Sequence, residues 1–74
     1  MEDLPGYKGA ALRLLKGAGA SIGDVLELRT GWGAVTGTLV PRYFYGDGDH
    51  IVLKLKSGYN VGIGTSGLEG VVVS

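Results

Sequence analysis

The stretch His50–Ile63, His-Ile-Val-Leu-Lys-Leu-Lys-Ser-Gly-Tyr-Asn-Val-Gly-Ile, decides the fold of this chain. Apolar residues alternate with other residues on both sides of Ser57-Gly58. A period of two is typical of a strand that buries one face, because successive side chains point to opposite sides of the backbone. The pattern therefore predicts two antiparallel strands joined by a tight turn.

Two turn geometries are compatible with this hairpin. A two-residue turn at Ser57-Gly58 would pair Lys56 with Tyr59 and place the two apolar rows on opposite faces. A three-residue loop from Lys56 to Gly58, with Gly58 in the left-handed conformation, brings the apolar side chains of both strands to one face. The longer loop is preferred because it can bury six apolar side chains together. Its pairs are Leu55 with Tyr59, Leu53 with Val61, and Ile51 with Ile63.

Length, composition and charge limit the classes of protein to which the chain can belong. Seventy-four residues form one domain at most, in the size range where a single core is marginal. Fifteen glycines, where average usage gives roughly five, predict many tight turns or close backbone approaches. Seven basic and seven acidic residues cancel. The excess of positive charge that is typical of a nucleic-acid-binding domain is therefore missing.

Residue usage also bears on metal binding and localisation. The chain has no cysteine and one histidine, which excludes a disulfide framework, a thiolate metal site and a histidine-based zinc site. The amino-terminal residues are acidic and unlike a signal peptide, and no apolar run approaches the roughly 20 residues that span a bilayer. These features predict a soluble cytoplasmic protein without a cofactor.

An amphipathic helix is predicted from Tyr7 to Ala18, ended by Gly17 or Gly19. Because it is only about three turns long, it must dock on an apolar surface to be stable. An amphipathic membrane or partner helix is the alternative, but the apolar face is small and lacks a large aromatic anchor. The predicted apolar stripe consists of Tyr7, Ala11, Leu14, Leu15 and Ala18, flanked by Leu12.

Further strands are predicted at Val25–Arg29, Ala34–Arg42 and Leu68–Val73, with Gly37 marking sharp curvature and Pro41 ending regular pairing. Short strands and glycine-rich turns favour an all-β fold, a small SH3-like antiparallel barrel of about five strands with one short N-terminal helix. The expected division is a helical arm at residues 1–20 and a barrel at residues 21–74. The predicted barrel core is Leu26, Leu28, Val35, Leu39, Ile51, Leu53, Leu55, Val61 and Ile63.

Three motifs suggest a functional site, and each fails a physical requirement. Asp47 and Asp49 suggest a calcium loop, but Gly58 stands where the closing glutamate should be. The residues 62–67 match a dinucleotide-binding fingerprint, yet too few residues follow for a helix and a second strand. His50 is predicted to be an exposed or capping residue, and no two carboxylates are spaced for acid–base work. No catalytic, cofactor-binding or metal-binding residue is therefore predicted.

Trp32, between Gly31 and Gly33, has two possible roles. It is either a lid packed over an open barrel end, which is preferred, or an exposed stacking or interface residue.

Beyond these local patterns, the chain resembles the amino-terminal domain of GatD, a component of the archaeal glutamyl-tRNA(Gln) amidotransferase GatDE. The resemblance is strongest in the combination and spacing of its motifs rather than in any one of them. They are Tyr7-x-Gly9-x-Ala11-x-x-Leu14-Leu15, Ile22-Gly23-Asp24, Gly37-x-Leu39, Asp49-His50-Ile51-Val52-Leu53-Lys54-Leu55 and Gly58-Tyr59-Asn60-Val61-Gly62.

The resemblance implies a role in translation. The catalytic part of GatD resembles type I asparaginases and releases ammonia from glutamine, which GatE uses with ATP and Mg²⁺ to amidate Glu-tRNA(Gln). The Thr-Gly-Gly-Thr motif of that catalytic part is absent here, and Thr65 does not reproduce it. The chain is thus expected to be a non-catalytic accessory domain of this ligase, which packs against the asparaginase-like domain or GatE.

The alternatives are a stand-alone SH3-like or Sm-like barrel that binds RNA, or one that forms homo-oligomers through Leu68–Val73. Contact with tRNA is possible but not favoured by the neutral charge. The expected interface residues are Trp32, Arg42, Tyr43, Tyr45, Lys54 and Tyr59.

Overall fold

A computed structural model describes Leu4 and residues 7–41 and 50–74 of the chain. Five strands form one antiparallel sheet in the order β4-β3-β2-β1-β5, preceded by one short helix. The predicted mostly-β fold with a short N-terminal helix is confirmed. The elements are α1 (Gly9–Gly17), β1 (Val25–Thr30), β2 (Gly33–Leu39), β3 (His50–Lys54), β4 (Asn60–Gly64), a 3₁₀ turn (Thr65–Gly67) and β5 (Leu68–Val73).

Three strand ends differ from the predicted ones, since β2 also begins one residue earlier, at Gly33 rather than Ala34. β1 extends one residue further, to Thr30, which pairs with Gly33 across the first turn. β2 ends at Leu39 rather than Arg42. Pro41 has no backbone N–H to donate, so the ladder cannot continue through it. Arg42, together with Tyr43–Tyr45, Asp47 and Asp49, lies outside the described residues.

The register predicted for the central hairpin is confirmed. Leu53 pairs with Val61, and Ile51 pairs with Ile63. The N–H of Leu55 donates to the carbonyl of Tyr59 at 2.7 Å. The loop that this bond closes contains Gly58 at φ +98°, a conformation that side chains with a Cβ rarely adopt. The three-residue loop therefore sets which face of each strand is buried.

Two apolar residues of the hairpin do not join the core: Leu55, which was predicted to belong to it, and Tyr59, which was predicted as an interface residue. Leu55 is only half-buried, and Tyr59 is 76% exposed. Both flank the turn, beyond the last residue at which β3 pairs with β2. Because β3 has ended at Lys54 and the chain turns away from β2 here, no paired strand of the described residues covers them. The hairpin thus contributes the four inner members of its apolar row.

The core lies on one face of the sheet and includes the helix. Ala11 and Leu15 of α1 are fully buried in the same cluster as the sheet residues, which confirms that the helix docks on the sheet. Leu14, predicted on the buried stripe, is 39% exposed, because the contact side of the helix is centred nearer Leu12 and Leu15. The buried cluster is Leu4, Tyr7, Ala11, Leu15, Ala20, Leu26, Leu28, Leu39, Ile51, Leu53 and Ile63.

The backbone of Gly37 lies close against the end of β3. A Cβ at this position would stand 2.8 Å from the carbonyl oxygen of Lys54 and 3.0 Å from the Cβ of Leu53. Both atoms belong to the strand itself and cannot swing away, so only glycine fits here. The sequence predicted sharp curvature at Gly37. What the structure shows there is a close approach of β3 that leaves room only for glycine.

The hydroxyl of Tyr7 completes the β2–β3 ladder. It accepts a hydrogen bond from the N–H of Val52 at 3.0 Å and lies 2.8 Å from the carbonyl oxygen of Val40. Val40 in turn donates its N–H to the carbonyl of Val52 at 3.4 Å. The buried phenol therefore bridges two backbone groups at the end of a short strand pairing, and the segment before α1 is tied to the sheet.

Candidate interaction surface

Trp32 is 79% exposed, so its predicted role as a lid over the barrel end is wrong. The indole stands on the two-residue turn between β1 and β2. The hydroxyl of Thr30 donates to the carbonyl of Gly33 and accepts from the N–H of Trp32 at 3.3 Å. The turn is thus closed by Thr30 beneath it and needs no cover from the indole, whose ring faces solvent.

Three of the six predicted interface residues lie in the described part of the chain, and all three are exposed. β3 runs antiparallel to β2, so the turn carrying Tyr59 points back toward the Trp32 turn, but Lys54 pairs with Thr38, six residues along β2 from Trp32. Lys54, also exposed, is the last residue of β3 before that turn. The other three, Arg42, Tyr43 and Tyr45, lie outside the described residues.

A groove of about 310 Å³ opens between β2 and the turn that follows β3, beside Val25 at the start of β1. The two strands pair only at Thr38 with Lys54 and at Leu39 with Leu53, and beyond Lys54 they separate. Sequence reasoning missed this groove. Alternation along each strand predicts faces, but it carries no signal for the point at which two strands part. The lining residues are Val25, Thr36, Gly37, Thr38, Lys54, Leu55 and Lys56.

Charge at the groove is positive. Lys54 and Lys56 are both exposed, and neither forms an ion pair with a described residue. The ion pair that the described residues do form joins the Nε of Arg29 to a carboxylate oxygen of Glu27 at 2.7 Å, on the outer face of β1. Among the described residues, no carboxylate lies within ion-pair distance of either groove lysine.

The chemical motifs considered above do not form a site in the described part of the chain. There, no group of three or more histidine, aspartate or glutamate side chains could hold a metal ion. Gly67 is followed directly by β5 rather than by a helix, so the dinucleotide fingerprint is a chance match. His50 is half-buried at the start of β3, with its imidazole beside Gly64.

Among the same residues, the helix that the structure contains is much too short to pass through a lipid bilayer.

Fold and surface define a class: a small antiparallel β domain, with one helix on its core face, that presents exposed aromatic and lysine side chains at and beside two of its turns. The family model of the GatD N-terminal domain matches residues 20–73. The chain belongs to this family of GatD N-terminal domains.

Several archaeal relatives, each named as the D subunit of glutamyl-tRNA(Gln) amidotransferase, are similar to the chain. The protein from Metallosphaera sedula is 51% identical over 59 residues, which is 80% of this chain and 13% of the relative. The protein from Sulfurisphaera tokodaii is 40% identical, over 89% of this chain and 14% of the relative. The protein from Methanopyrus kandleri is 41% identical, over 93% of this chain and 15% of the relative. The chain thus spans about one seventh of the length of these relatives.

Proposed function

We propose that this chain is a non-catalytic accessory domain of GatD in a glutamyl-tRNA(Gln) amidotransferase. The observation that carries the proposal is the match of residues 20–73 to the GatD N-terminal domain, together with 51% identity to the M. sedula protein. The described residues hold no metal-binding cluster, and the chain lacks the Thr-Gly-Gly-Thr motif expected of an asparaginase-like centre. Ammonia release from glutamine is then carried out by another domain, and this chain contributes by packing against that domain or against GatE.

We further propose that residues 21–74 form an SH3-like barrel, with residues 1–20 as a helical arm. Two features support this architecture. The strand order places β5 beside β1 and leaves β4 and β5 at the two edges, which lie close when such a sheet curls. β2 also pairs unequally with its two neighbours, as closure of a barrel requires. Residues 33–38 pair with β1, and Leu39 bonds to the residues just before β1, whereas only Thr38 and Leu39 pair with β3. Close packing at Gly37 permits the bend between those parts.

The proposed contact surface comprises the exposed residues Trp32, on the β1–β2 turn, and Lys54 and Tyr59, which flank the β3–β4 turn. Large aromatic side chains that are more than three-quarters exposed are costly in water and are enriched at the centres of protein interfaces. The proposed partners are the asparaginase-like part of GatD and the GatE protein, in the cytoplasm. The sequence-based expectation extends this surface to Arg42, Tyr43 and Tyr45.

A chimaera tests the proposal. GatD of M. sedula is prepared intact, without the region that this chain matches, and with this chain in place of that region. Glutamine hydrolysis and tRNA-dependent amidation with GatE are then measured. The truncated GatD is expected to keep glutamine hydrolysis and to lose most of the coupled amidation, and the chimaera is expected to restore it.

A matched pair of variants locates the contact. In the chimaera, W32A/Y59A should impair the coupled reaction, whereas Leu14→Ala, another exposed apolar residue but on α1, should not. Glutamine hydrolysis by the isolated 74-residue chain would refute the non-catalytic role. A chimaera that fails although the chain is folded would refute the accessory role.

A further inference from the structure

We propose that the groove between β2 and the β3–β4 turn binds an acidic peptide segment in extended conformation. The groove has three features that together fit such a ligand: a strand edge with no described strand beside it, apolar walls, and two lysines that form no ion pair with a described residue. This proposal goes beyond the accessory role and does not depend on it, because it is argued from the groove alone.

The open edge is contributed by β2. Leu39 donates its N–H to Asp24 and accepts at its carbonyl from Gly23, so its backbone groups point toward the β1 side. Backbone groups alternate in direction along a strand, so those of Thr36 and Thr38 point toward β3. Thr38 is paired with Lys54, but among the described residues no strand pairs with Thr36 on that side.

The opposite wall is the turn that follows β3. The N–H of Leu55 donates to Tyr59, and its carbonyl accepts from Gly58, so the backbone of Leu55 faces β4 and Lys56 lies in the turn that this second bond closes. This wall therefore contributes side chains rather than a strand edge. A short extended segment laid along β2 can hydrogen-bond to Thr36, which is the geometry of strand addition.

Side chains at the groove select the chemistry of the ligand. Val25 and Leu55 give apolar contact for alternate side chains of an extended segment. Lys54 and Lys56 are exposed beside the groove without an ion-pair partner in the described part of the chain. The nearest acidic side chain on the paired strand is Glu27, opposite Thr36, and Arg29 neutralises it. Carboxylates on one face of the ligand therefore complement the groove.

A peptide explains these features better than a nucleic acid does. Lysines and exposed aromatic rings suit either ligand, but the backbone donor and acceptor at the open β2 edge suit a peptide main chain. The formal net charge of the chain is zero, which gives little general attraction for a polyanion. A single-stranded oligonucleotide is therefore the competing ligand in the test.

The test uses the 74-residue chain, labelled with ¹⁵N, and an acetylated, amidated pentapeptide of sequence Thr-Glu-Val-Glu-Thr. Titration should shift the amide resonances of Thr36, Gly37 and Lys56 and slow hydrogen exchange at Thr36. The counterpart with glutamine in place of both glutamates should bind about fivefold more weakly, in line with two exposed charge pairs. K54Q/K56Q should show the same loss.

The matched control variant is K8Q/K16Q, which removes two exposed lysines from the region of α1 and should leave the affinity unchanged. Equal binding of the glutamate and glutamine peptides would overturn the proposal. So would shifts located outside the groove, no shift at millimolar peptide, or a preference for oligo-uridine over the peptide. None of these results bears on the chimaera experiment, so failure here and failure of the accessory role are distinguishable.

Discussion

The phenolic oxygen of Tyr7 accepts a hydrogen bond from the backbone N–H of Val52, at a distance of 3.0 Å. The two residues are 45 positions apart in the sequence. The same oxygen lies 2.8 Å from the carbonyl of Val40, so one side-chain hydroxyl completes a ladder that β2 and β3 do not complete by themselves. The segment before the helix is in this way part of the sheet's hydrogen bonding.

Removing this hydroxyl should destabilise the domain. We expect Tyr7→Phe to lower the free energy of unfolding by about 1–3 kcal/mol, because the Val52 N–H is left without its acceptor in a part-buried position. Urea unfolding followed by circular dichroism measures the change. Tyr59→Phe is the control: that side chain is 76% exposed, and its loss of a hydroxyl should cost less than about 0.5 kcal/mol. Equal effects would contradict the role of Tyr7.

A methyl group at Gly37 should force β2 and β3 apart. The added Cβ would be 2.8 Å from a backbone oxygen, and we expect Gly37→Ala to destabilise the domain by about 1–3 kcal/mol. Gly70→Ala makes the same change in β5, where nothing lies within 4 Å of the new Cβ, and should be near neutral. Thermal unfolding of the two variants compares them. A Gly37→Ala protein as stable as Gly70→Ala would show that the strands are not in close contact.

Neighbouring leucines on the helix should differ in their effect on stability. Leu15 is fully buried in the common core, and Leu15→Ala should cost about 2–5 kcal/mol. Leu14→Ala removes the same number of atoms from a position that is 39% exposed, and should cost under about 1 kcal/mol. The difference in urea midpoints measures how firmly the helix docks. Similar midpoints would mean that the helix is not part of the cooperative unit.

Trp32 reports directly on its own exposure because it is the sole tryptophan. Its fluorescence in the folded chain should be quenched by acrylamide almost as efficiently as in the urea-unfolded chain, since the side chain is 79% exposed. Trp32→Ala should change the free energy of unfolding by less than about 0.5 kcal/mol. A strongly protected indole in the isolated chain would instead indicate that another molecule or segment covers it.

The interface residues illustrate what alternation along a strand can and cannot predict. Alternation along β3 places Lys54 on the face opposite Leu53, and the two glycines around Trp32 are typical of the turn on which it stands. The prediction that the indole packs over the barrel end was wrong, because its orientation depends on how Thr30 closes that turn from below. The groove was not predicted because it also depends on contacts between distant segments. It lies where β2 and β3 separate, and the residue pattern of one strand does not indicate where its neighbour departs.

The sequence by itself determined the hairpin and the faces of the strands. With side chains alternating strictly along an extended backbone, a loop that needs Gly58 at positive φ leaves one register that buries Leu53 with Val61. Tertiary structure alone decided which apolar residues are covered. Burial of Leu15 but not Leu14, and of Leu53 but not Leu55, depends on which neighbouring element reaches that point. Such coverage is a property of packing between distant segments, so the local pattern cannot encode it.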